Sequence, residues 1–189
     1  MTNSHLRLQR MAMVAIMGAL AFILMIFEIP NPFSVAGFLK LDISDLPVIL
    51  VTWCFGPWSG LATAAIKVVL HLMVGGDWLG SLSNLISAAC LIFPFNWAFQ
   101  HPKWKLYKRL YIGGAVATIT LTLVMSLLNL WVLVPLYSVV WGWHPSVPMG
   151  QLIALGVAPF NVLKGLILAA LFALLANSLK GVVKQYQKS

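Results

Sequence analysis

Five apolar runs, residues 11–27, 46–74, 82–99, 110–137 and 152–179, take up most of this 189-residue chain, with short polar or basic stretches between them. Runs of this length leave few ways to fold, because about 20 apolar residues in helical form cross the hydrocarbon of a bilayer. Composition narrows the choice. The chain is 61% apolar and 8% charged, against roughly 45–50% and about 25% in a soluble domain. So few charged side chains could not clothe a soluble globule, and the same figures exclude a disordered chain, a collagen-like fibre and a disulfide scaffold. An all-α polytopic membrane protein remains, one domain over residues 1–189.

Charge sets the number of crossings. Arg7 and Arg10 precede the first run, Lys103, Lys105, Lys108 and Arg109 follow the third, and Lys180, Lys184 and Lys188 close the chain. Basic clusters beside apolar runs mark the cytoplasmic side of a membrane protein, so an even number of helices should separate each from the next. The net charge of +8 therefore reads as lipid topology, not nucleic-acid binding. Two runs lie between the middle and last clusters, but three lie between the first and middle. The run 46–74 resolves the conflict: Phe55-Gly56-Pro57 breaks it, since proline removes a helical hydrogen bond and restricts its predecessor.

The prediction is six transmembrane helices near 10–28, 45–55, 58–75, 82–99, 110–137 and 152–180, both termini cytoplasmic, with outer loops 29–44, 76–81 and 138–151. All four acids, Glu28, Asp42, Asp45 and Asp77, then fall outside or at outer helix ends. Trp58 and Trp104 fall at the inner boundary and Trp78 and Trp141 at the outer one, as interfacial tryptophans do. The C-terminal end of the first run, Phe27-Glu28-Ile29-Pro30-Asn31-Pro32, has no small-x-small cleavage site, and the run reads as a retained helix. Cys54 and Cys90 sit inside apolar runs without CxxC spacing and read as buried hydrophobes.

Catalytic patterns are missing. The sequence has no HExxH, GxSxG or GxxxxGK[ST], and no spaced Cys/His metal set; His5, His71, His101 and His144 are scattered. The chain should perform no covalent chemistry and hydrolyse no ATP. Lysines within helices are a different matter, because an ammonium at mid-bilayer costs about 2.5–3.5 kcal/mol and normally faces a bundle interior or wet cavity. Lys164 shares a helix face with Asn161 three residues earlier, and Asn129 interrupts the preceding helix. With Phe160, Trp131 and Tyr137 these describe an aromatic-walled pocket for a flat, mostly uncharged ligand rich in donors and acceptors. Snorkelling of Lys164, or its pairing with a loop acid, and an interhelical hydrogen bond for Asn129 are the structural alternatives.

A second polar group comprises Asp45, Lys67, His71, Asp77 and Asn84. Asp45 is placed to cap its helix, and Lys67 to pair with Asp45 or Asp77; equally, these groups could hold a hydroxylated ligand tail. On the first helix Ala12, Ala15 and Ala19 form a stripe of small residues suited to close helix approach, either within the bundle or against a partner.

Leu39-Lys40-Leu41-Asp42-Ile43-Ser44-Asp45-Leu46-Pro47, followed by Phe55-Gly56-Pro57-x-x-Gly60 and Lys67, resembles the substrate-binding S component of energy-coupling factor (ECF) vitamin transporters. Asn129 with Val134-Pro135-Leu136-Tyr137, and Pro159-Phe160-Asn161-x-x-Lys164-Gly165, are similar to its riboflavin-specific branch. The likeness covers about residues 10–175. It implies a six-helix cell-membrane protein that captures riboflavin with high affinity near the outer face, under the loop carrying Leu39, Lys40 and Leu41. It further implies a transmembrane coupling subunit and two cytoplasmic ATPases as partners, and no cofactor, riboflavin being cargo. Residues matching Asn129, Asn161 and Lys164 would face the isoalloxazine ring, and Ala15-x-x-x-Ala19 would contact the coupling subunit. An S component for a thiamine-like or biotin-like vitamin, or a self-sufficient ion-coupled carrier, is the alternative.

Overall fold

A computed structural model describes residues 3–33 and 36–187, so Lys188 lies outside the described residues, as do the side chains of His5 and Lys184. The helices are α1 (Asn3–Ile26), α2 (Asp45–Phe55), α3 (Pro57–Met73), α4 (Trp78–Phe99), α5 (Leu106–Leu128), α6 (Val134–Trp141), α7 (Met149–Leu152) and α8 (Ala158–Gln187). Widened π-turns, π1 (Asn129–Leu133) and π2 (Ile153–Val157), join α5 to α6 and α7 to α8. Among the described residues these make six continuous helical segments. Four segments, Leu6–Ile26, Trp78–Phe99, Leu106–Trp141 and Met149–Gly181, are long and apolar enough to cross a membrane.

The helices outrun the predicted boundaries. The first begins at Asn3 instead of 10 and ends at Ile26, the fourth begins at Trp78 instead of 82, and the fifth covers 106–141 instead of 110–137. The last starts at Met149 instead of 152 and continues past 180. Hydrophobicity marks only the length that lipid covers, whereas backbone hydrogen bonding carries a helix on to its cap. For α4 that cap is Asp77, whose carboxylate accepts from the Leu79 and Gly80 amides. The break between α2 and α3 falls where predicted. Gly56 takes φ +85°, a conformation open to glycine, and Pro57 starts α3 at the position where its missing N–H is harmless.

α1 packs mainly against α3, α4 against α5, and α5 against α8. At the end of the bundle bearing the basic clusters, Trp53, Phe95, Phe99 and Phe172 interlock, with ring centroids 5.5–5.9 Å apart. Phe55 meets Tyr186 there at 5.2 Å, so the far end of α2 reaches the end of α8. Cys54 and Cys90 are free thiols, half-buried and buried.

The buried charges gather towards the other end of the bundle. There the loop after α1 is not irregular throughout. Ile29 pairs with Leu41 and Pro30 with Lys40 as strands β1 (Ile29–Pro30) and β2 (Lys40–Leu41), a hairpin absent from the sequence reading. Asn31 ties the hairpin tip by donating to the Ala36 carbonyl at 2.8 Å, and Lys40 pairs with Glu28. Ala36 then seats on π2 at Gly156, where an added Cβ would lie 2.6 Å from the Ala36 Cβ. Glycine is required at this crossing because the loop backbone and the helix touch.

Candidate functional site

Under this loop lies a cavity of about 360 Å³, walled by the hairpin, the α3–α4 turn, α4, α5–π1–α6 and α8. That volume is in the range of small-molecule sites, roughly 300–1,000 Å³. π1 borders it through Asn129 and Leu133, π2 precedes the α8 residues that do, and each π-turn ends two residues before a proline, Pro135 or Pro159. Proline cannot donate to the carbonyl four residues back, and a widened turn absorbs the mismatch. The amides of Val134 and Ala158 accordingly bond five residues back, to Asn129 and Ile153. Asn129 opens π1, and Asn161 follows Pro159. Each carboxamide donates to its own helix at 2.8 Å, Asn129 to Met125 and Asn161 to Val157.

Three buried polar atoms without a hydrogen-bond partner among the described residues belong to residues on this wall: Asn84 Oδ1, Ser87 Oγ and Asn129 Oδ1. Buried polar atoms are normally paired. Such a group of acceptors beside a cavity is what a donor-bearing ligand, or water, would satisfy.

A four-charge cluster forms the floor. Lys67 Nζ donates to Asp45 Oδ1 at 2.6 Å and to Ser44 Oγ at 3.0 Å. Lys164 Nζ lies 3.3 Å from both Asp42 Oδ2 and Asp45 Oδ2. Asp42 also accepts from the Ser44 amide at 2.9 Å, from the Ser44 hydroxyl, and from Asn84 Nδ2 at 3.4 Å. Burial of Asp42 opposes its ionisation, yet Lys164, Lys67 and the Ser44 hydrogen bonds outweigh it and hold the carboxyl at about 2, below its ordinary 3.8. Two ammoniums and two carboxylates sum to zero, so the floor carries no net charge towards a guest.

The structure gathers Asn129, Asn161, Lys164, Phe160, Tyr137, Asn84, Leu39 and Lys40 on the cavity wall. Lys67, Asp45 and Leu41 are not on it. Lys67 and Asp45 are wholly buried and paired beneath it, and Leu41 is held in the hairpin. Asp45 does not cap α2 either. Ser44 occupies that position, and the Asp45 carboxylate turns to the lysines. Trp131 is 71% exposed and faces outward, because residues two apart on a helix lie on opposite faces and Asn129 takes the inner one. Phe38 fills the aromatic role instead, its ring 5.7 Å from Tyr137 and 5.0 Å from Trp143. The Tyr137 hydroxyl donates to Asp77 at 2.8 Å, and His71 Nδ1 lies 2.9 Å from Ser81 Oγ.

Asp42 is the site residue that pattern reading passed over. Counting would have called for such a residue without naming it: two lysines inside helices ask for two buried acids among the four in the chain. Lys164 itself is 4% exposed, so it does not snorkel.

A helical bundle closed at one end by a hairpin over an acceptor-lined cavity with a charge-balanced floor defines a membrane protein that houses a small molecule. The chain belongs to the family of ECF transporter substrate-specific components, whose sequence profile matches residues 9–176. It is 30% identical to the riboflavin transporter FmnP of Bacillus subtilis over 97% of this chain and 98% of that one. It is 31% identical to the riboflavin transporter RibU of Staphylococcus aureus over 94% and 93%. A solved structure of the S component of a bacterial ECF transporter superposes with a TM-score of 0.79 at 32% identity, covering 94% of this chain and 99% of that chain.

Proposed function

We propose that this chain captures riboflavin as the substrate-binding component of an ATP-driven ECF transporter, without catalysing a reaction itself. The observation that carries the reading is the uncharged balance of Asp42, Asp45, Lys67 and Lys164 beside two carboxamides on one cavity wall. A flat neutral guest with an imide edge suits that wall: its N–H can be accepted by the Asn129 carbonyl and its carbonyls can meet Lys164. Phe160, Tyr137 and Phe38 offer apolar and aromatic area for the ring. His71, Asp77 and Asn84 offer polar partners for a hydroxylated tail. About 27 heavy atoms at roughly 0.3 kcal/mol each give about −8 kcal/mol, micromolar binding, and closure of the hairpin tightens it. The similarity to proteins named riboflavin transporters supports the same substrate.

In this reading all six helical segments cross the membrane with both ends on the cytoplasmic side, and the chain works with a transmembrane coupling subunit and two ATPases. Burial of most of α2 supports this topology, because a short helix shielded by protein need not match the bilayer. The test is binding by the purified protein. Riboflavin fluorescence should be quenched on addition of the wild type, and Asn161→Ala should weaken binding by about tenfold, the worth of one or two buried hydrogen bonds. Protection from heat by thiamine or biotin, with no effect of riboflavin, would overturn the substrate assignment.

A further inference from the structure

A second concavity lies at the opposite end of the bundle, on its outer surface. It is a groove of about 430 Å³ between α5 and α8, bordered by Tyr107, Tyr111, Ala115, Ala170, Ala173 and Asn177. Its floor is set by contact between the two helices at Gly114, where a Cβ would lie 2.8 Å from that of Ala169. Ala115 and Ala170 above the contact are exposed and too small to fill the space. The tyrosines are 69% and 80% exposed, and both helices belong to segments of membrane-crossing length and apolarity. In a bilayer a dry apolar groove of this kind is filled by hydrocarbon.

We infer that this groove is a binding site for one anionic phospholipid, an acyl chain lying along Ala115, Ala170 and Ala173 and the phosphate at the basic end. Length supports the match: from Tyr107 to Ala115 the helix rises about 12 Å, close to the roughly 15 Å of hydrocarbon in one leaflet. Charge fixes the headgroup. Lys108, next to Tyr107 and one turn before Tyr111 with its ammonium 5.2 Å from the Trp104 ring, and Lys180, one turn beyond Asn177, are exposed at this end of the groove. All four acidic side chains lie towards the other end, Asp42, Asp45 and Asp77 at the cavity floor and rim and Glu28 on the hairpin's Lys40. The two tyrosine hydroxyls and the Asn177 amide add hydrogen-bond donors at the depth where headgroups meet hydrocarbon. Basic pockets between transmembrane helices select acidic headgroups for this reason.

Native mass spectrometry of the full chain, released from micelles doped with phosphatidylglycerol or phosphatidylcholine, tests the site. The wild type should retain one phosphatidylglycerol in preference to phosphatidylcholine. Ala115→Leu and Ala170→Leu, which fill the groove from exposed positions, should abolish that adduct while riboflavin binding persists. Lys108→Gln with Lys180→Gln should lower the preference roughly fivefold per lysine removed. Equal retention of both lipids by the wild type, or undiminished phosphatidylglycerol on both leucine variants, overturns the proposal. Should a leucine variant fail to fold, the glutamine pair decides: a preference it leaves unchanged rejects the site.

Discussion

Replacing Lys164 with methionine removes the ammonium that lies 3.3 Å from both Asp42 and Asp45 while keeping an apolar side chain of similar length. Lys67 then faces two carboxylates alone, leaving one negative charge buried. Removing one partner of a buried ion pair costs about 3–5 kcal/mol, because the other charge stays desolvated and unpaired. Asp42→Asn alone leaves the cluster one charge positive and should cost a similar amount. Together the two changes restore neutrality, so the double variant should recover part of the loss, with a coupling of about 2 kcal/mol. The assay is equilibrium unfolding in mixed micelles, run beside riboflavin titration by fluorescence. Stability should return in the double variant while binding stays weak, since the ammonium proposed to meet the ring is still missing. Additive losses, or a Lys164→Met protein as stable as the wild type, would refute the claim that these groups act as one neutral cluster.

Three further outcomes follow from the same geometry. Because the Asp42 carboxyl is held at about 2 instead of 3.8, its folded form favours the ionised state. The stability it supplies, about 2 kcal/mol, should be complete above pH 4 and lost as pH falls towards 2, an acid transition that Asp42→Asn should reduce. Gly156→Val should push Ala36 and the hairpin off π2, raising the riboflavin dissociation rate in stopped-flow quenching more than it lowers the melting temperature. Ala15 and Ala19 are exposed on α1, so Ala15→Trp should leave riboflavin binding intact and impair uptake by cells; loss of both would place the stripe inside the bundle.

The separation between what the amino-acid order determined and what folding decided follows the range of the forces involved. Apolar run length, the Gly56–Pro57 break and the confinement of acids to one end are local or cumulative properties, and they determined the helical membrane class and the division of the second run into α2 and α3. Asn129, Asn161 and Lys164 stood out because polar groups in apolar helices are expensive wherever they occur. Pairing is different. Asp42 reaches Lys164 across 122 residues and Asn84 across 42, and no spacing rule announces such partners. Lys67 and Asp45 satisfied each other under the cavity instead of lining it, a choice between two acids that only packing could make. Trp131 lies two residues from Asn129, on the opposite helix face, so burial of Asn129 turned it outward and left the aromatic role to Phe38 from a distant loop. The hairpin and its seat on Gly156 likewise required two distant backbones to touch, which only the closed bundle brings about.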